Sequence, residues 1–249
     1  MLFLHETHTT APHTSGSLEA AYRDEWMPRL AESDDARLLW FAEQTMPGGA
    51  PDTAVTITAV RDGAAWERLS ETLRHGRLEA WRRRIDGWRR RVVTKILVPM
   101  HWSPLRDVDL ATVPVDGRDH DPTLYLEDTM WPYDGKLLDY VDAAGSVYVE
   151  RGPGLLDAKH AAEWRAHAAE RDTGLIKVEA AFQPAFGSHR RKEAILWQPI
   201  YSLERLAWFL VNDLPPEDDR EGSWMRYALS LRDQYQSKLL RTARWSPWY

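Results

Sequence analysis

The chain contains no cysteine. That excludes disulfides, thiolate metal sites and a cysteine nucleophile. It also lacks any apolar run long enough to read as a membrane span. No glycine-rich phosphate loop and no nucleophile elbow occurs. Positive charge is in deficit: 32 Lys and Arg stand against 38 Asp and Glu, for a net charge of −6. Such a balance argues against bulk nucleic-acid binding. The opening "MLFLHETHTT" turns polar after four residues and carries no basic leader, so a signal peptide is not expected and a cytoplasmic location is. What the chain has in excess is tryptophan, 13 in 249 residues. Trp supplies large flat apolar area, suited to cores and to pockets for flat ligands.

A repeat organises the rest. The triplets Trp102-Ser103-Pro104 and Trp245-Ser246-Pro247 lie 143 residues apart. At that shift Trp81 meets Trp224, Arg83 meets Arg226, Arg89 meets Arg232, Lys95 meets Lys238 and Leu97 meets Leu240. Both segments carry an apolar stripe at helical spacing, Trp81/Ile85/Trp88/Val92 and Trp224/Ala228/Leu231/Tyr235. Further upstream, Glu25-Trp26 matches Glu163-Trp164, and "LFLHETH" (2–8) matches "LYLEDTM" (124–130). The growing offset implies an insertion near 131–160, with the Gly-Pro-Gly at 152–154 as a turn or a lid. Each half reads strand, helix, strand, strand, helix, strand. In the first half these fall at about 2–8, 17–31, 36–44, 54–60, 63–92 and 94–100. The expected division is a first repeat at 1–105, a linker at 106–122 rich in Asp, Pro and Gly, and a second repeat at 123–249.

A βαββαβ unit is ferredoxin-like: four antiparallel strands with both helices on one face. The other face is bare and needs a cover. A second copy in the same chain supplies it. The expected fold is therefore α+β: two tandem ferredoxin-like repeats forming a pseudo-twofold barrel, helices outside and a lumen between the sheets.

On "LFLHETH", "DEWMP", "RDGAAWERL" and "KILVPMHWSPL", the chain resembles the NIPSNAP-like family of the dimeric α+β barrel superfamily, as a fused tandem repeat. The resemblance implies a ligand cavity. It also implies company with cofactor-independent monooxygenases, isomerising and decarboxylating enzymes, and haem-binding members.

Strand alternation then nominates side chains. In 175–183, the lumen positions are expected to be Lys177, Glu179, Ala181 and Gln183; in the first half they are Leu39, Phe41, Glu43 and Thr45. In "HETH" (5–8), Glu6 and His8 share one strand face, and the resemblance favours that face as the lumen. A carboxylate beside a His can serve as general base with an orienting partner, and Asp128 adds a second acid. The catalytic candidates are Glu6, His8, Asp128, Glu43 and Glu179. The substrate-binding candidates are Trp40, Phe41, Lys177, His101 and Trp102. His5 and His8 diverge on a strand, so no metal site is expected. The Arg-rich "WRRRIDGWRRR" (81–91) reads as a solvated helix face rather than a nucleic-acid footprint.

The expectation is acid–base chemistry (isomerisation, cyclisation, dehydration or cofactor-independent oxygenation) on a hydrophobic, aromatic or polyketide-like small molecule of biosynthesis. No bound cofactor, nucleic acid or membrane is expected, and the chain is a monomer or homodimer. Two alternatives stay open. One is a non-catalytic ligand-binding scaffold. The other is a haem enzyme, with His101, His160, His167 or His189 as ligand candidates.

Overall fold

The computed structural model describes residues 1–45, 52–148, 176, 178–185, 192–201, 203, 206 and 224–249. The first half runs β1 (Leu2–Thr10), α1 (Ser15–Ala21), a π-helical turn (Tyr22–Trp26), α2 (Met27–Ala31), β2 (Ala36–Gln44), β3 (Thr53–Val60), α3 (Gly63–His75), α4 (Glu79–Asp86) and β4 (Arg89–Pro99). The described elements of the second half are β5 (Leu124–Pro132), α5 (Leu137–Tyr148), β6 (Ala180–Pro184), β7 (Ala194–Ile200), α6 (Trp224–Ala228) and β8 (Arg232–Thr242). The Gly-Pro-Gly at 152–154 lies outside the described residues. Among the described residues no helix is long and apolar enough to cross a membrane.

The strands close into one antiparallel barrel in the order β1-β3-β2-β8-β5-β7-β6-β4. Each half keeps the ferredoxin-like order, β4-β1-β3-β2 and β8-β5-β7-β6. The two sheets join edge to edge through β2–β8 and β4–β6. Closure removes every free sheet edge, which would otherwise invite pairing with other chains.

Helix boundaries differ from the sequence expectation in both halves: the stripe expected to run from Trp224 to Tyr235 leaves the helix after Ala228, and Tyr235 lies on β8. The helical stretch expected over 63–92, with a break near Gly76, does break after His75 but stops at Asp86. Residues 89–91, three arginines, begin β4 instead. Gly76 and Gly87 are weak helix formers, and β-branched Val92, Val93 and Thr94 favour strand. Trp81 and Ile85 keep their buried stripe, whereas Val92 is exposed on the strand. The α4 arginines are paired as a solvated face would have them: Arg82 with Asp86, Arg83 with Glu79 and Arg84 with Glu25.

Three main apolar layers result. One lies inside the barrel and draws on both halves: Phe3, Leu39, Trp40, Ile57 and Leu97 pack with Tyr125, Phe182, Ile195, Trp197 and Leu240. A second sits between the first sheet and its helices, around Tyr22, Trp26, Phe41 and Trp81. A third sits under α5 and α6, around Met130, Tyr140, Leu196 and Trp224. The segment between β4 and β5 is not a mere tether. Its Val108, Leu110 and Val113 join the lumen layer with Leu105 and Trp248, and so plug one end of the barrel.

The two Trp-Ser-Pro turns are the joints. Ser103 Oγ accepts the Ala181 N–H at 2.9 Å and donates to the Leu105 carbonyl at 2.8 Å. Ser246 Oγ accepts the Phe41 N–H at 3.1 Å and donates to the Trp248 carbonyl at 2.7 Å. The backbone repeats the symmetry: Met100 N–H bonds Ala181 O as Ala243 N–H bonds Phe41 O, and Leu105 N–H bonds Glu179 O as Trp248 N–H bonds Leu39 O. Each turn thus grips a strand of the other half. Their tryptophans follow. Trp102 Nε1 donates to the Val141 carbonyl of α5 at 2.7 Å, and Trp245 Nε1 donates to Glu19 of α1 at 2.6 Å. Gly145 of α5 lies so close to Trp102 that a Cβ there would come within 2.5 Å of its Cδ1.

Removing either serine hydroxyl strands a buried strand N–H, which costs about 1–3 kcal/mol. Ser103→Ala and Ser246→Ala should each lose stability of that order in urea denaturation. Unchanged midpoints in both variants would show that these turns do not hold the halves together.

Candidate functional site

Which strand face meets the lumen is decided by cluster membership and hydrogen bonds. On β1, Phe3 and His5 point inward. Glu6 and His8 point the other way, to the helix layer, which corrects the expected parity. Tyr22 of the π-helical turn donates to Glu6 Oε2 at 3.1 Å, and its hydroxyl lies 3.3 Å from His8 Nε2. On β2 a bulge between Leu38 and Trp40 puts both Leu39 and Trp40 inside and turns Phe41 out. Phe41 packs on Tyr22 and Trp245, not on the lumen. Glu43 also leaves the lumen face. Burial raises its carboxyl pKa, and Glu19 of α1 and Asp52 add to the effect.

On β5, Tyr125 lies in the lumen layer while Leu126 and Met130 do not. Asp128 shares the outer face, held by Gln198 at 2.8 Å and by Ser237, with its pKa raised chiefly by burial. On β6 the expected parity again reverses: Ala180 and Phe182 are inside and Ala181 is outside. His101 is exposed beside Asp142, and Trp102 belongs to the joint with α5. Lys177 lies outside the described residues. Of the ten nominated residues, Trp40 and Glu179 are the ones described at the barrel interior.

The plugged end carries the cavity. It is open to solvent on one side, has a volume of about 500 Å³ and is lined by Tyr125, Glu179, Tyr201, Arg241 and Tyr249 together with Leu124, Ile200 and Leu203. Glu179 immediately precedes β6 and is the pseudo-twofold counterpart of Leu39. Tyr125 donates to Glu179 Oε2 at 2.8 Å, and Trp40 Nε1 donates to the Tyr125 oxygen at 3.4 Å. Burial raises the Glu179 pKa, while the Tyr125 hydroxyl works against that by stabilising the carboxylate. Tyr125 itself is pushed well above the usual phenol range, first by burial and then by the Glu179 charge. The result is a half-buried acid with an orienting phenol on a partly aromatic wall, with a cation in the same lining.

The opposite half of the lumen is polar. His5 Nε2 lies 2.8 Å from Glu127 Oε2, and Lys238 Nζ lies 2.6 Å from Glu127 Oε1. Burial opposes ionisation of Glu127, but the Lys238 ammonium and the His5 ring outweigh it and hold the carboxyl well below the usual range. Lys95 pairs with Glu193 at 2.5 Å, and Trp131 Nε1 donates to the same carboxylate at 3.0 Å. Sequence reading missed His5 and Glu127. The signal available was that they occupy the same register position in the two repeats.

On the helix side, both ring nitrogens of His8 are engaged. Arginine can only donate, so Arg89 at 3.2 Å makes His8 Nδ1 the acceptor and leaves the proton on Nε2, facing Thr56 at 3.1 Å and Tyr22. Asp86 holds Arg89 in turn.

No family profile matches the chain, and no curated protein matches it. Solved structures match over nearly its whole length, at low identity. A protein from Lactobacillus acidophilus assigned as a monooxygenase aligns with a TM-score of 0.55 at 10% identity, covering 98% of this chain and 96% of its own. An anthrone oxidase-like protein gives 0.53 at 12%, covering 97% and 91%. A haem-bound DypB variant from Rhodococcus jostii gives 0.53 at 7%, covering 98% and 93%. These similarities establish the barrel fold shared with dimeric α+β barrel proteins. A NIPSNAP domain protein from Burkholderia xenovorans is 22% identical but covers only 41% of this chain, with a TM-score of 0.34. The finer family resemblance therefore rests on the sequence motifs alone.

The described residues do not fit haem. The cavity lining includes no histidine. His5 is engaged by Glu127 within a lumen filled by Trp40, Tyr125, Phe182 and Trp197, and His101 stands outside the barrel. His160, His167 and His189 lie outside the described residues. Nor do the described residues contain a group of three His, Asp or Glu placed to hold a metal ion.

His8 generates a stability prediction. Its pKa is lowered from 6.5 to about 4, chiefly by burial, with Glu6 opposing and Arg89 and His5 assisting. The unfolded chain therefore binds the His8 proton more readily than the folded one. This contribution is fully present above pH 6.5 and is lost as pH falls toward 4. The loss amounts to at most about 3 kcal/mol. His8→Met, which copies Met130 of the other repeat, should flatten the stability–pH curve in that window. A wild-type curve already flat there would refute the assignment.

Proposed function

We propose that this protein is a small-molecule enzyme that carries out acid–base chemistry on a flat, hydrophobic substrate held in the cavity beside Tyr125 and Glu179. The observation that carries this reading is the Glu179 carboxyl, raised in pKa by burial, bonded to Tyr125 at 2.8 Å and set in the wall of a 500 Å³ cavity. A carboxyl shifted toward neutrality works both as base and as acid. Glu179 takes a proton from a carbon next to a carbonyl and returns it elsewhere on the same molecule, an isomerisation that needs no co-reactant. Arg241, in the same lining, stabilises the oxygen anion that develops between the two transfers. Tyr125, Tyr201 and Tyr249 offer flat surface to an aromatic or polyketide-like ring system. The shared barrel with an anthrone oxidase-like protein suggests anthrone, a flat ketone with an acidic methylene, as a first test substrate.

The expected result is that wild-type protein accelerates exchange of the anthrone methylene protons with deuterated solvent, followed by NMR. Glu179→Gln should reduce that rate about 100-fold, the usual range for a lost general base, with little change in unfolding midpoint. Full activity in Glu179→Gln would remove Glu179 from the chemistry. Saturable quenching of Trp and Tyr fluorescence without any exchange would instead favour the non-catalytic ligand-binding reading.

A further inference from the structure

One wall of the cavity beside Tyr125 and Glu179 rests on a histidine. Tyr249 lines that cavity, is 58% exposed and makes no side-chain hydrogen bond among the described residues. What places its ring is His120. The two rings lie face to face, with centroids 3.4 Å apart and planes 11° apart. His120 stands two positions before Pro122, which lines the same cavity, and it is tied to the turn that carries Tyr249. Its backbone N–H donates to the Arg244 carbonyl at 2.7 Å. Its Nε2 lies 2.9 Å from the Ser246 carbonyl oxygen, and its Nδ1 lies 2.8 Å from the Asp121 carbonyl oxygen.

Both oxygens belong to backbone carbonyls, which can only accept. A neutral imidazole has one N–H, so its other nitrogen would turn a lone pair on a carbonyl lone pair. The imidazolium donates at both nitrogens and satisfies both contacts. Its charge also lies over the electron-rich face of a phenol, an attractive arrangement. His8 provides the contrast, because Arg89 makes its Nδ1 accept. The charged groups around His120 are Asp119 and Asp121 on its own segment and Arg244 on the facing turn. The Asp121 carboxylate is fully exposed and 3.9 Å from the Arg244 guanidinium, so these two offset each other in water. Arg118 pairs with Asp116, and Arg23, packed on Gly117, pairs with Asp24. Glu179 and Arg241 share the cavity lining with Tyr249 and do not bond His120.

We propose that His120 is a positioning residue for this cavity. Its imidazolium clamps Tyr249 into the wall. Loss of one proton gives up a carbonyl contact and turns the ring out of the stack. The cavity therefore holds a flat, neutral ligand more tightly when His120 is charged, at acid pH, than when it is neutral, at alkaline pH. By reciprocity, such a ligand favours the doubly protonated ring. This role rests on the proposed function only in taking the cavity as the ligand site, and it asks nothing of Glu179 as a base.

The test begins with the full-length wild-type chain, labelled with ¹⁵N in its histidines and ¹³C in its tyrosines and followed by NMR without ligand. At about pH 5.5 both His120 ring nitrogens should carry protons. As the pH rises to about 8, the Tyr249 ring resonances should move together with the His120 titration. Binding of anthrone is then read by fluorescence quenching in the Glu179→Gln background, which removes the carboxyl from the cavity. Affinity should be about fivefold higher at pH 5.5 than at pH 8, the worth of one hydrogen bond. Adding His120→Gln, which does not titrate, should make the two affinities equal. A bare ring nitrogen at pH 5.5, Tyr249 resonances that ignore the His120 titration, no anthrone binding, or a pH dependence that survives His120→Gln would each overturn the proposal. Absent binding would also count against the proposed function, whereas the other three outcomes leave Glu179 untouched. Full exchange activity in Glu179→Gln, in turn, would sink the proposed base and leave the His120 result standing.

Discussion

The reciprocal clasp of the two Trp-Ser-Pro turns is the constraint on which the barrel depends. Two four-stranded sheets meet edge to edge along β2–β8 and β4–β6, and these seams are short. The register runs over Ala42–Gln44 on one and Leu97–Pro99 on the other. Beyond each seam the paired strand continues into a turn whose serine caps a strand N–H in the opposite half. The tryptophan beside it then enters the opposite helix layer. Each joint therefore couples sheet pairing to helix packing across the interface. An N–H buried at a seam has no water to turn to, which is why a single hydroxyl matters there.

The pseudo-twofold axis runs along the barrel and brings equivalent positions face to face. In a barrel made of two identical chains, a residue on that axis would meet its own copy. Here His5 meets Glu127, its counterpart in the other repeat, at 2.8 Å. A complementary donor and acceptor can share the axis only because the two halves have diverged within one chain. The flanking positions stayed alike, Phe3 with Tyr125 and Lys95 with Lys238. The same divergence separates the two ends of the lumen. The linker closes one end with Val108, Leu110 and Val113. The other gathers His5, Glu127, Lys238, Lys95 and Glu193.

The repeat, the strand order and the barrel were legible because they rest on extended features: an echo at a shift of 143 residues and two apolar stripes at helical spacing. The inward faces were not. Every residue of β3 is buried, and β1 starts Leu2-Phe3-Leu4. A sheet covered by helices on one side and by its twin on the other is apolar on both faces, so alternation does not say which face is which. The bulge at Leu38/Trp40 then reverses parity partway along β2. Glu179 lies where the register with β7 shifts by one residue, between Ile176 and Ala180, the counterpart of the bulge at Leu39. Glu6 and His8 looked like a catalytic pair, but their face belongs to Tyr22.

The sequence by itself determined that this chain is a duplicated α+β unit whose copies must cover each other, because each copy's sheet has a face that its own helices leave bare. It also marked the Trp-Ser-Pro turns, since a joint needed twice leaves its residues twice. Only the tertiary structure decided where polar side chains meet. Glu179 reaches Tyr125 across 54 positions and His5 reaches Glu127 across 122. Such contacts depend on closure of the barrel and on the register of strands from different repeats, quantities that no local pattern encodes.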